Sequence, residues 1–190
     1  MRVIAGSAGG IRLDVPKTEV RPTMDRVKAA IFSSLGDAVA GARVLDLFAG
    51  TGALGIEALS RGAASTTFVE EKRAAVAVIE KNLTRTKFTG TVRQYDVFEF
   101  IRTARSSAPF DLIFADPPYE KMRSGEAFTD LLMNDAKLAA LLAPAGIFIL
   151  EKRPGEEIPD AKLWEVTRAK TYGATEVLFL RHPERSRGTP

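Results

Sequence analysis

The segment Asp116-Pro117-Pro118-Tyr119 has the residue types and order of a device for holding an amine. Two adjacent prolines remove two backbone donors and stiffen the chain, and the residue before a proline is pushed to extended geometry. A turn this rigid can aim the Asp116 carboxylate and the Pro117 carbonyl at one point, where together they accept both hydrogens of an NH2 group. Tyr119 offers a flat face for a flipped-out base, and stacking of this kind is worth ~1–3 kcal/mol per base. An exocyclic amine is a poor nucleophile because its lone pair is delocalised into the ring. Two acceptors can rotate and polarise it until the lone pair points at an electrophile. D-P-P-x is also an ordinary turn, so its weight depends on its neighbours.

Those neighbours begin with Asp46-Leu-Phe-Ala-Gly50-Thr-Gly52-Ala-Leu-Gly55, in which Gly50, Gly52 and Gly55 match G-x-G-x-x-G. Glycines in this pattern let the backbone approach a ligand and let a helix pack closely on a sheet. Glu70 lies 18 residues after Gly52, at the end of the next apolar run, where an acid can bond both hydroxyls of a ribose. The glycine pattern alone also fits a nicotinamide dinucleotide. Asp46 tilts the reading, because an acid at the end of the first strand discourages a pyrophosphate and suits the sulfonium and ammonium groups of S-adenosylmethionine. Asp96 can accept from an adenine amino group, with Val97 or Phe98 packed on the ring, and it serves equally as the N-cap of the helix that follows. With an activated methyl donor, proximity and in-line orientation supply most of the catalysis.

The elements that must position these residues alternate. Short apolar runs at 43–48, 66–70, 91–95, 110–115 and 146–151 are read as strands. Helices are expected at 53–61, 72–86, 97–104 and 125–142. Such alternation implies right-handed βαβ units and a parallel sheet. Residues 162–170 and 175–181 read as an antiparallel pair at one sheet edge. Ahead of the sheet, 2–5 and 11–15 are expected to pair as a hairpin around Gly9-Gly10. Thr23 is expected to cap a helix starting at Met24, with Val27, Ile31 and Leu35 on its apolar face. The expected organisation is an N-terminal extension at 1–40, one catalytic domain at 41–182 and a disordered tail at 183–190. Trp164 is read as a packing residue and His182 as an exposed one.

The chain has 190 residues, enough for one well-buried core. It has no cysteine and one histidine, which excludes disulfides and thiolate metal sites. No apolar run approaches the ~20 residues of a membrane span, and no metal is expected. The net charge is +3, and its distribution is uneven. Residues 1–28 carry six cations against three acids, and the last ten carry three cations against one acid. A near-neutral body with basic ends suits an anionic partner such as nucleic acid, and Arg21 and Arg26 are placed to contact phosphates.

Together, DLFAGTGALGIEALSRGA, FVEE, DPPY and ILE resemble the RsmD-type family, the bacterial 16S ribosomal RNA guanine-N2 methyltransferases. MRVIAGSAGGIRLDVP, RPTMDRVKAAIFSSL and TYGATEVLFL extend the resemblance over about residues 1–181. It implies a Rossmann-like α/β fold with a seven-stranded, mostly parallel sheet. It implies methyl transfer from S-adenosylmethionine to N2 of one guanine, in ribosomal RNA of the assembled small subunit. The composition fits a cytoplasmic protein, and nothing in the sequence demands more than a monomer. By motif position it implies that Asp46, Phe48, Ala49, Gly50, Thr51, Gly52, Glu70, Asp96 and Val97 line the cofactor site. Asp116, Pro117, Pro118 and Tyr119 would hold the amine, and Arg21, Pro22, Thr23 and Arg26 would meet the substrate. Thr51 stands where the family is expected to carry serine. The competing readings are an adenine-N6 methyltransferase acting on DNA or RNA, a nicotinamide oxidoreductase, and a non-catalytic RNA-binding protein.

Overall fold

The computed structural model describes residues 1–15, 22–104, 108–118, 127–159 and 162–183, with backbone only at 22–24. Its centre is one sheet of seven strands: β1 (Arg43–Leu47), β2 (Ser65–Glu70), β3 (Thr91–Gln94), β4 (Phe110–Ala115), β5 (Leu142–Lys152), β6 (Glu165–Tyr172) and β7 (Thr175–Arg181). They lie in the order β3-β2-β1-β4-β5-β7-β6. The first five are mutually parallel, β7 runs antiparallel to β5, and β6 runs antiparallel to β7. The order reverses between β1 and β4, and ligands of doubly wound sheets bind at that switch point, outside the carboxyl ends of the strands.

Apolar residues run almost without a break along β1, β4 and β5 because both faces of the sheet are covered. On one face, Leu45, Leu47, Ile113, Ala115, Phe148 and Leu150 pack under α4 (Val97–Thr103), α5 (Phe128–Met133) and α6 (Ala136–Leu141). On the other, Val44, Leu112, Phe114 and Ile149 pack with Val27, Ile31, Phe32 and Leu35 of α1 (Pro22–Leu35). A third cluster joins Val3, Ala8 and Leu13 to Ile56 of α2 (Ala53–Ser60), Phe68, and Ile79 and Leu83 of α3 (Arg73–Thr86).

Four local expectations change. The N-terminal hairpin keeps three bonds across its turn, Val3 N to Ile11 O, Gly10 N to Val3 O and Leu13 N to Met1 O, but its strands shorten to a single bridge, Arg2 to Arg12. They shorten because other amides bond elsewhere: Ile4 N and Ala5 N donate to Glu57 at 2.7 and 3.1 Å, and Ala8 N donates to Ser60 Oγ at 3.0 Å. Thr23 is not an N-cap, because α1 already begins at Pro22, a residue preorganised for the first helical position. The helix expected over 125–142 is two helices over its described part. Asp135 adopts extended geometry between them and its Oδ1 accepts from Lys137 N at 2.8 Å and Leu138 N at 3.1 Å, starting a new helix. His182 is half-buried, its ring 5.8 Å from Trp164 and nearly parallel to it, with Nε2 3.2 Å from Leu142 O. Trp164 packs in the core against Phe148 at 5.0 Å. The tail from residue 184 lies outside the described residues.

Candidate active site

The loop between β1 and α2 takes a conformation that few side chains tolerate. Phe48, Gly50 and Gly52 all have positive φ, at 55°, 55° and 75°. Gly55 has a different reason to be glycine. A Cβ there would sit 2.3 Å from Phe68 Cε1, so its absence lets α2 lie against β2. At Gly50 the nearest atom to such a Cβ is Phe48 O at 3.9 Å. Thus Gly50 keeps space open beside the loop, whereas Gly55 serves packing. Ala49 and Thr51 are buried. Ala49 N donates to Val69 O, and Thr51 O accepts from Asn82 Nδ2.

Three acids surround this loop. Glu70 accepts from Gly50 N through Oε2 at 2.8 Å and from Lys72 N through Oε1 at 2.9 Å. Each carboxylate oxygen keeps a further lone pair, so Glu70 can shape the loop and still receive hydroxyl donors. Asp46 is 2% exposed, and its Oδ2 accepts from Gly55 N at 2.9 Å. Burial, followed by the nearby Asp116 and Glu70 carboxylates, pushes its carboxyl up to about 8, against the Gly55 bond that lowers it. No ion pair to Asp46 forms among the described residues. A buried acid without a cation fits a cationic ligand, which would relieve that cost. Asp96 caps α4, its Oδ1 accepting from Glu99 N at 2.8 Å. Val97 is buried beneath it.

An aromatic trio gathers beside the loop. The ring of Phe48 lies 6.3 Å from Phe98 and 5.6 Å from Phe128, and Phe98 stacks on Phe128 at 5.9 Å. Beyond it, at the end of β4, Pro117 is buried, Asp116 half-buried and Pro118 exposed. The prolines line a cavity of about 680 Å3 together with Phe128, Glu151 and Lys152. Tyr119 and Arg21 lie outside the described residues, as do the side chains of Pro22 and Thr23. Arg26 is exposed on α1 and is not among the residues lining this cavity.

Four residues that hold the site together went unread in the sequence. Glu57 is fully buried and binds Ile4 N, Ala5 N, Arg61 Nε and Lys28 Nζ. An acid on the apolar face of a short helix was its one signal. Asn82 accepts from Asp14 N and donates to Asp14 O and Thr51 O, tying the N-terminal segment to the glycine loop. Phe128 and Glu151 carried no local signal, since only the fold brings them to the prolines.

A doubly wound sheet of this order, with a glycine loop, an acid after β2 and D-P-P after β4, defines a class I methyltransferase that uses S-adenosylmethionine. The family described as conserved hypothetical protein 95 matches residues 1–181. Ribosomal RNA small subunit methyltransferase D of Escherichia coli K12 is 34% identical over 175 residues, covering 91% of this chain and 85% of that protein. The Haemophilus influenzae protein of the same name is 32% identical, covering 91% and 89%. The solved structure of the E. coli protein yhhF shares 32% identity with a TM-score of 0.76, covering 96% of this chain and 97% of that one. The chain belongs to the ribosomal RNA small subunit methyltransferase D family. The nicotinamide reading is thereby set aside.

Proposed function

We propose that this protein transfers a methyl group to the exocyclic N2 amine of a guanine in 16S ribosomal RNA of the assembled small subunit. The observation that carries the reading is Asp116 at the end of β4 followed by Pro117 and Pro118, which line a cavity large enough for a flipped base and walled by Phe128. Bound S-adenosylmethionine supplies an electrophilic methyl on a sulfonium. The residues of this chain do the rest by orientation. Asp116 Oδ and Pro117 O accept the two amine hydrogens and turn the nitrogen lone pair toward the donor, and Asp116 takes the proton released after transfer. Tyr119 stacks on the base. Glu70 receives the ribose hydroxyls, Asp46 faces the cationic end, and the remaining oxygen of Asp96 receives the adenine amine.

Support for guanine comes from a neighbour in structure space. The Thermus thermophilus 16S rRNA N2 G1207 methyltransferase, solved with AdoMet and guanosine, shares 26% identity and a TM-score of 0.67, covering 88% of this chain and 44% of that one. Residues 1–40 act as a substrate-side extension of the catalytic domain at 41–182, with Arg21, Pro22, Thr23 and Arg26 meeting RNA. We read the protein as a cytoplasmic monomer that needs no metal. Among the described residues no helix is long and apolar enough to cross a membrane, and no cluster of His, Cys, Asp or Glu could hold a metal ion. The test is transfer of labelled methyl to small subunits from cells lacking the enzyme, with naked RNA and duplex DNA alongside. N2-methylguanosine in subunit RNA is the expected product, and N6-methyladenosine would overturn the reading.

A further inference from the structure

Glu151 is the penultimate residue of β5 and is not used by the chemistry above. Leu150 pairs with Ala115 across β5 and β4, so Glu151 stands beside Asp116. It is 9% exposed and lines the cavity of Pro117, Pro118 and Phe128. Among the described residues its carboxylate has no hydrogen-bond or ion-pair partner. The adjacent cation does not serve it: Lys152 Nζ donates to Glu156 O at 2.7 Å and Arg153 O at 3.0 Å and pairs with Glu176 at 2.6 Å. A largely buried carboxylate that lines a cavity and is paired by no described residue is costly to ionise, and such groups collect where a ligand needs them.

What this acid can read follows from the edge of a purine. Guanine presents two adjacent kinds of donor, the N2 amine and N1–H. Adenine presents an amine beside N1, which bears a lone pair. A flipped base is read along this edge, and a carboxylate accepts but does not donate. We propose that Glu151 is a specificity-determining residue whose carboxylate accepts N1–H of the target guanine while Asp116 and Pro117 hold the neighbouring amine. The proposal rests on the guanine-N2 reading. Burial, then Asp116, then Asp46 push the Glu151 carboxyl well above the ordinary carboxylate range. A cationic methyl donor bound beside Asp46 and an N1–H donor both favour the ionised form, and that form repels a purine with a lone pair at N1.

The test uses small subunits reconstituted with either guanine or 2-aminopurine at the methylated nucleotide. 2-Aminopurine keeps the N2 amine but has a lone pair at N1. Wild-type enzyme is expected to prefer guanine by roughly 100-fold in kcat/KM. Glu151→Gln, whose amide offers either a donor or an acceptor, is expected to narrow that ratio at least tenfold. Its melting temperature should be unchanged or higher. An unchanged ratio in the variant would overturn the proposal. So would equal wild-type rates on the two bases, which needs no variant. If wild-type enzyme forms no N2-methylguanosine on guanine subunits, the underlying reading fails first, and product mass separates the two failures.

Discussion

Replacing Asp46 by asparagine removes the ionisable group and keeps an oxygen to accept from Gly55 N. Below pH 3.8 the acid is protonated in both folded and unfolded chains and contributes no difference. Above that value the unfolded chain releases the proton, while the folded chain holds it to about 8. Stability is therefore withdrawn as pH rises through this window, at about 1.4 kcal/mol per unit. From 3.8 to 7 is about three units, which sets a difference of about 4 kcal/mol between Asp46→Asn and wild type at pH 7. The variant should be the more stable without cofactor, with the gap growing from pH 5 to pH 8. Urea unfolding at several pH values measures it. Calorimetry in two buffers of different ionisation enthalpy adds a second readout. A cationic ligand favours ionised Asp46, so wild-type protein at pH 7 should release a proton on binding S-adenosylmethionine, and the variant should release less. A stability gap independent of pH would refute the reasoning.

Asp116→Ala is expected to abolish methyl transfer and leave cofactor affinity nearly unchanged, as measured by single-turnover assay and calorimetry. Glu57→Ala strands Lys28 in the interior and orphans two backbone amides, so it should lower unfolding free energy by ~3–5 kcal/mol in denaturant titration. Gly55→Ala forces a Cβ to 2.3 Å from Phe68 and 2.7 Å from Thr66 Cγ2. It should be less stable than wild type by about 1–3 kcal/mol in the same titration.

Apolar runs and their spacing made the sheet legible. β4 spans 110–115 as read, and β1, β2, β3, α2, α3 and α4 fall within two residues of their expected bounds. Each is a run whose period and flanking glycines agree locally. The loop glycines and D-P-P were legible for the same reason, since each is a short motif whose chemistry resides in adjacent residues. What adjacency could not reveal was where a backbone amide finds its partner. Ile4 and Ala5 look like a strand, yet they bond to an acid 52 or 53 residues away. The order of the last strands was hidden likewise, because a hairpin reads the same whichever strand joins β5.

The sequence by itself determined the sheet, the glycine loop and the family, because local pattern and motif encode them. Tertiary structure alone decided which acids lose their water. Asp46 stood out in the chain as an acid at a strand end and Glu151 did not, but nothing local marked either as an acid that loses its water. They become buried, and their carboxyls rise, because parallel strands in register bring both to the carboxyl end of the sheet beside Asp116, where burial first and the neighbouring carboxylates next disfavour their charge.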